Sequence, residues 1–276
     1  MPELPEVETT LRALRVVGRT ILSVRGVDYL PTIAPWGLEA FQEALRGRRV
    51  EQARRRGKYL LFLLDRSLAL AIHLRMSGRL LQLPGRTDPD PHTRLILELD
   101  DGSSLVLRDP RKFARAGLLQ EPELQALEAA LGPEPLDLCR NPVAWKARLL
   151  AHPRRRLKAL LMDQRFVAGV GNIYADEALH RAHLHPLRRV GTLSDTEAIR
   201  LGEALGAVLR EAIAAEGTTL EDGAYRFGDG QSGRFALRLR VYRRAGKPCT
   251  ACGTPIARIL VSARSSYFCP KCQPLL

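Results

Sequence analysis

Residues 249–272 read CTACGTPIARILVSARSSYFCPKC, two Cys-x-x-Cys pairs, Cys249/Cys252 and Cys269/Cys272, separated by sixteen residues. Each pair can present two thiolates from a tight turn, so the spacing matches a tetrahedral site with four sulfur ligands joined through a β-hairpin. Disulfides suit a chain of intracellular character poorly, and a redox Cys-x-x-Cys does not normally come as such a pair. The end module has little core of its own, so a single zinc ion would be structural, stabilising the fold by fixing the hairpin. Arg264 falls at the tip of that hairpin, where its fork can reach a phosphate or a reacting group. Cys139 stands apart from both pairs and reads as structural.

The opposite end, Met1-Pro2-Glu3-Leu4-Pro5-Glu6, complements this reading. A small residue after the initiator methionine permits its removal, which would expose the secondary amine of Pro2. An α-amino group titrates near pH ~8, so an appreciable fraction is neutral and able to attack an electrophilic carbon, giving an iminium ion. Retention of Met1 would leave Pro2 an amide nitrogen and stop that chemistry. Glu3 lies beside it as a proton donor or acceptor, with Glu6 the second candidate. The same residues are also ordinary helix-start signals, since Pro fits the first turn and carboxylates favour the positive end of the helix dipole. Val7, Leu11 and Leu14 recur at helical spacing and Gly18 can close the helix, which predicts a buried amphipathic helix over 5–17.

At 276 residues and 45% hydrophobic composition, the chain has room for about two domains with real cores. It contains no apolar span of membrane length and no signal-like start, which makes the cytoplasm the expected compartment and a membrane an unexpected partner. The net charge of +13 points to a polyanion. The charge is clustered at Arg46–Lys58, Arg154–Lys158 and Arg234–Lys247. Any one cluster is compatible with a solvated face, whereas three separated clusters suggest an extended nucleic-acid track.

Between the two ends the pattern changes character. Leu38 to Arg46 reads as a short helix closed by Gly47. Strands are predicted at Lys58–Leu64, Leu68–Leu74, Arg79–Leu83, Arg94–Leu99 and Ser104–Arg108, with Asp101-Gly102 turning the last pair; together they argue for a sandwich or barrel. From about Pro122 the signals turn helical, and Gly132-Pro133-Glu134-Pro135 would suit a hinge. Ser194-Asp195-Thr196-Glu197 is a capping box followed by the apolar stripe Ala198, Leu201, Leu205, Val208 and Ala212. The glycine-rich stretch Gly217–Gly233, with Tyr225 and Phe227, reads as a mobile loop.

Three further segments carry chemistry. In Val167-Ala168-Gly169-Val170-Gly171-Asn172, Asn172 is a natural N-cap for a helix Ile173–Arg181, and amides there can bind phosphate or simply form a core turn. Arg154 to Lys158 favour the phosphate. Met76 in HLRMSG and Arg111 and Phe113 in DPRKF combine a flexible apolar chain, a fork donor and an aromatic, the tools for filling the gap left by an extruded base; each alone is compatible with packing. His92 beside Thr93 suits a phosphate contact or a solvent-facing strand position equally.

PELPEVET, RGKYLLF, HLRMSG, DPRKF, LLMDQRFVAGVGNIYADEAL and the ending CTACG with RSSYFCPKCQ occur in order from Pro2 to Gln273. In these motifs the chain resembles the bacterial formamidopyrimidine-DNA glycosylase (MutM) family. The resemblance implies an α+β multidomain fold: an N-terminal β-sandwich with flanking helices over 1–133, a helix-two-turns-helix module with its lesion loop over 134–235, and a four-cysteine zinc finger β-hairpin over 236–276. It further implies that Pro2 attacks C1′ of a damaged nucleotide, Glu3 assists sugar opening, Lys58 assists β-elimination and Arg264 δ-elimination. His92, Arg111, Arg154 and Asn172 would hold the DNA, Met76, Arg111 and Phe113 would fill the void beside the orphan base, and the loop Gly217–Gly233 would cover the flipped lesion. The implied partner is damaged double-stranded DNA carrying 8-oxoguanine opposite cytosine or formamidopyrimidines, acted on by a nucleoid-associated monomer that needs no small-molecule cofactor.

Two positions depart from the family pattern, Ala114 after DPRKF and Ala263 before Arg264, where glycine is common. The sister endonuclease VIII-like branch shares the amine chemistry but usually lacks the Met, Arg and Phe set found here. A non-enzymatic zinc-module DNA-binding protein would account for the basic clusters and cysteines while leaving Pro2, Glu3 and Lys58 unexplained.

Overall fold

The structure, a computed structural model, describes residues 1–220, 225–228 and 231–275. They form two compact units, one comprising Met1–Ala130 with Ala215–Ala236, the other Leu131–Ala214 with Leu237–Leu276.

The first unit is a sandwich of two four-stranded antiparallel sheets. One has the order β1 (Ile21–Arg25), β6 (Thr93–Leu99), β7 (Ser104–Arg108), β5 (Arg79–Leu83); the other runs β2 (Val50–Arg56), β3 (Tyr59–Leu64), β4 (Leu68–His73), β8 (Arg115–Gln120). The alternation in β3 and β4 sends Leu60, Phe62, Leu64, Leu68, Leu70 and Ile72 into the common core. Their other faces are apolar too, because Leu61, Ala69 and Ala71 receive Leu124 of helix α3 (Glu121–Ala129). A strand covered on both sides reads as a continuous apolar run, which is why every residue of β4 is buried.

Helix α1 (Leu4–Ala13) ends four residues short of the predicted limit. The chain turns extended at Leu14, so that Leu14 and Val16 enter the sandwich core, and their burial outweighs continued helix. Helix α2 (Leu38–Leu45) forms as predicted, one residue shorter. Strands β1, β2 and β8 escape the sequence pattern. In β2 only Val50 and Ala53 meet the core, the remaining residues being polar or charged, and β8 carries Gly117 at its centre.

Ala215–Ala236 returns to this unit. The glycine-rich stretch was expected to be irregular and mobile, yet its described flanks are pinned by isolated bridges pairing Thr218 with Arg234 and Phe227 with Gln231. Glycine is required at Gly233 because a Cβ there would lie 2.4 Å from the Gly217 carbonyl oxygen. Residues 221–224 and 229–230, on which the lesion-covering expectation partly falls, lie outside the described residues.

The second unit contains α4 (Pro135–Leu138), α5 (Pro142–Leu150), α6 (Leu157–Leu161), α7 (Asn172–Arg181), α8 (Asp195–Ala214) and the hairpin β9 (Ala257–Val261) and β10 (Arg264–Phe268). The capping box forms as read, Ser194 N–H donating to Glu197 at 2.9 Å and Glu197 N–H to Ser194 Oγ at 3.2 Å. Between α6 and α7 the chain makes two successive turns. Gln164 fastens them, its Oε1 accepting the Gly169 N–H at 2.9 Å and its Nε2 donating to the Val170 carbonyl at 2.8 Å.

Candidate active site

Pro2 and Glu3 are buried at the head of α1. Glu6 organises this end. One carboxylate oxygen accepts the Glu3 N–H at 2.8 Å and the other accepts the Thr218 N–H at 2.7 Å. The Tyr225 hydroxyl donates to the Glu6 carbonyl at 3.2 Å, and burial raises the Tyr225 pKa so that it stays a donor. Glu6, the second proton-transfer candidate from sequence, is thus a bridge between the amino-terminal segment and the stem of the glycine-rich loop. Sequence reading missed that role because its partner lies more than two hundred residues away.

Lys58 occupies the second position of the two-residue turn joining β2 and β3, since Arg56 pairs with Tyr59. Gly57 takes φ +56 at the first position, a left-handed conformation that glycine adopts without strain. The hairpin packs against α1, and Arg55 Nε donates to Glu8 at 3.0 Å. Lys58 itself is 8% exposed. Nearby His73 lies across from Tyr59 in the register, ring centroids 4.7 Å apart. Burial, followed by the charges of Arg75 and Lys58, lowers its pKa to about 3 and keeps the ring neutral.

Met76, His92, Arg111 and Phe113 are all exposed, on the loops β4–β5, β5–β6 and β7–β8. The Arg111 guanidinium sits 5.4 Å from the Phe113 ring centroid, a cation–π contact. Ala114, which replaces a common glycine, is fully buried in the sandwich core. Arg154 and Arg264 are exposed in the second unit. Asn172 is not the N-cap expected from sequence: Gly171 caps the helix in an extended conformation and Asn172 is its first residue. Its Nδ2 donates instead to the Ser265 carbonyl at 2.9 Å, fastening α7 to the hairpin.

The four cysteine sulfurs fit a zinc ion. All four lie within 4.8 Å of one another, with Cys249–Cys272 at 3.9 Å, Cys252–Cys269 at 3.4 Å and Cys252–Cys272 at 3.5 Å. A tetrahedron of Zn–S bonds of about 2.3 Å requires S–S separations of about 3.8 Å. The Ala251 and Cys272 N–H groups point at Cys249 and Cys269 sulfur, both at 3.4 Å, as in a knuckle that stabilises thiolates. Bound zinc supplies cross-linking of the two knuckles and no chemistry of its own, because all four positions are filled by protein.

Helix α7 anchors this finger. Buried Asp176 accepts from Lys158 Nζ at 2.6 Å, from Ser266 Oγ at 2.7 Å and from the Tyr267 N–H at 3.1 Å. Glu177 accepts the N–H groups of Arg240, Val241 and Tyr242 at 2.9, 3.0 and 2.9 Å. Carboxylates in so dry a place persist only with such partners, and removing one partner from a buried pair typically costs about 3–5 kcal/mol.

A two-turn helical module clamped to a four-thiolate finger, together with a sandwich that buries an amino-terminal Pro-Glu, defines a zinc-finger DNA glycosylase. Residues 1–116 match the Formamidopyrimidine-DNA glycosylase N-terminal domain, 131–223 its H2TH domain, and 246–275 the zinc finger found in FPG and IleRS. The chain belongs to the formamidopyrimidine-DNA glycosylase family. It is 46% identical to the formamidopyrimidine-DNA glycosylase of Chloroflexus aggregans, with 100% of both chains covered. Among solved structures, MutM (FPG) from Thermus thermophilus superposes with a TM-score of 0.87 at 44% identity, again over 100% of each chain. The complex of Lactococcus lactis FPG (MutM) with FAPY-dG-containing DNA superposes with a TM-score of 0.87 at 31% identity, over 99% of this chain and 100% of that one.

Proposed function

We propose that this chain is a bifunctional DNA glycosylase and AP lyase that removes 8-oxoguanine opposite cytosine and formamidopyrimidines in the bacterial nucleoid. The amine of Pro2, freed by removal of Met1, attacks C1′ while Glu3 donates a proton that helps open the sugar. The C1′–N bond breaks, the base departs protonated, and an iminium links C1′ to Pro2. The iminium acidifies the C2′ proton; its removal, assisted by Lys58, expels the 3′ phosphate, and δ-elimination assisted by Arg264 expels the 5′ phosphate. Water finally releases the sugar fragment from Pro2. Met76, Arg111 and Phe113 fill the void beside the orphan base, while His92, Arg111, Arg154 and Asn172 hold the DNA. We assign 1–133 to the catalytic sandwich, 134–235 to the helix-two-turns-helix module and 236–276 to the finger.

The observation that carries this reading is the burial of Pro2 and Glu3 at the head of α1, with the Glu3 N–H held by Glu6. The test is borohydride trapping on an 8-oxoguanine:cytosine duplex, with mass spectrometry of the adduct. The expected result is one covalent complex at Pro2, absent in Pro2→Gly, with Glu3→Gln binding the duplex but cleaving it at least about 100-fold more slowly. Absence of any adduct from zinc-loaded, duplex-binding protein would overturn the mechanism.

A further inference from the structure

Asp109 follows β7 directly and is completely buried. Its N–H donates to the His92 carbonyl at 2.8 Å, and its own carbonyl accepts Arg94 Nε at 2.9 Å. Its carboxylate accepts four hydrogen bonds. At Oδ1 these come from Ser77 Oγ and the Arg111 N–H, the latter at 3.1 Å. At Oδ2 they come from the Phe113 and Ala114 N–H groups, both at 2.7 Å. One side chain therefore joins the loop of Met76, through its neighbour Ser77, to the backbone of Arg111 and Phe113, and its main chain adds His92.

Both loops need such a post. Arg75 and Lys112 adopt φ +54 and +60, conformations that non-glycine residues hold only when their surroundings impose them. The post is itself braced: buried Arg94 donates to both carboxylate oxygens of Asp28 at 2.7 and 2.6 Å and to the carbonyls of Thr93 and Pro91. Met76 and Phe113 meanwhile project into solvent, 36% and 43% exposed, so little of their own packing sets their positions.

We propose that Asp109 is a positioning residue for base extrusion, holding Met76, Arg111 and Phe113 in register before DNA arrives without itself reaching the DNA. Filling the void then need not also order two loops, and more of the interaction energy offsets unstacking. This rests on the assignment of those three residues as the wedge. A carboxylate is specified because all four groups facing it are donors. In Asp109→Asn one side would turn an NH2 against N–H or O–H donors at nearly unchanged volume.

The test compares single-turnover excision of 8-oxoguanine from two duplexes, one with cytosine opposite the lesion and one with a baseless nucleotide there, which lowers the cost of extrusion. Rates are normalised to the borohydride-trappable fraction. For Asp109→Asn the expected loss is about 50-fold on the paired duplex and below about 5-fold on the other. Equal losses on both, or no loss on either, would overturn the proposal. Should Asp109→Asn fail to fold, Ser77→Ala carries the test, with the same contrast at about 5-fold on the paired duplex; its absence has the same overturning force. Phe113→Ala separates the two readings. If it shows no contrast the wedge assignment fails, whereas contrast there without contrast in Asp109→Asn rejects the role of Asp109 alone.

Discussion

His73 is the residue whose titration most directly tests the sandwich. Burial lowers its folded pKa to about 3, whereas in the unfolded chain it titrates near the ordinary histidine value of about 6.5. The unfolded state therefore takes up a proton that the folded state refuses. The stability that neutral His73 confers is complete above pH ~6.5 and falls by up to about 1.4 kcal/mol per pH unit as the pH drops towards about 3. Urea unfolding between pH 7 and 4.5 should show a slope of this sign, to which buried His180, its pKa lowered to about 4, adds, and His73→Leu should reduce it. Glu6→Ala should cost about 2–3 kcal/mol in the same assay, because it removes the acceptor from the buried Glu3 and Thr218 N–H groups. The clustering of the four cysteines was legible from sequence, and so was the Pro2-Glu3 pair as the candidate for the chemistry. The contacts that Glu6, Asp109 and Asn172 make were not, because their partners, mostly backbone groups, are brought close only by folding. Asp-Pro after a strand is a turn signal, and for Asp109 it was the one local hint.

At the scale of elements, β3, β4 and β7 were readable because apolar residues fill at least one whole face, and α8 because its box and stripe agree. Arginine-rich β2 was opaque: its identity depends on pairing with β3 rather than on its own composition. The zinc hairpin was readable from ligand spacing, but its turn holds a strain that spacing does not reveal. Val261 pairs with Arg264, leaving Ser262 and Ala263 as the two-residue loop at φ +49 and +59. Ala263→Gly should relieve about 1 kcal/mol of left-handed strain and slow release of zinc to a chelator. Complete removal of zinc should unfold β9 and β10 selectively. Far-UV circular dichroism should then retain most helical signal while duplex affinity falls.

For the molecule as a whole, a net charge of +13 makes binding a matter of released counterions. Affinity for undamaged duplex should fall as a straight line in log–log salt titrations. Arg154→Ala should reduce the slope by about one, and weaken damaged and undamaged duplex alike, if that side chain meets a phosphate. The division into two units was only partly legible, since no composition shift announces that residues 215–236 rejoin the first one. That detour has a consequence for how the protein is made. The sandwich and its amino terminus emerge from the ribosome early, but the segment whose Thr218 reaches Glu6 follows only after residues 131–214 have been translated, a delay of roughly 4 to 17 s at bacterial elongation rates. The surroundings of the buried Pro2-Glu3 segment are thus finished late in synthesis, when residues 131–214 have already been made.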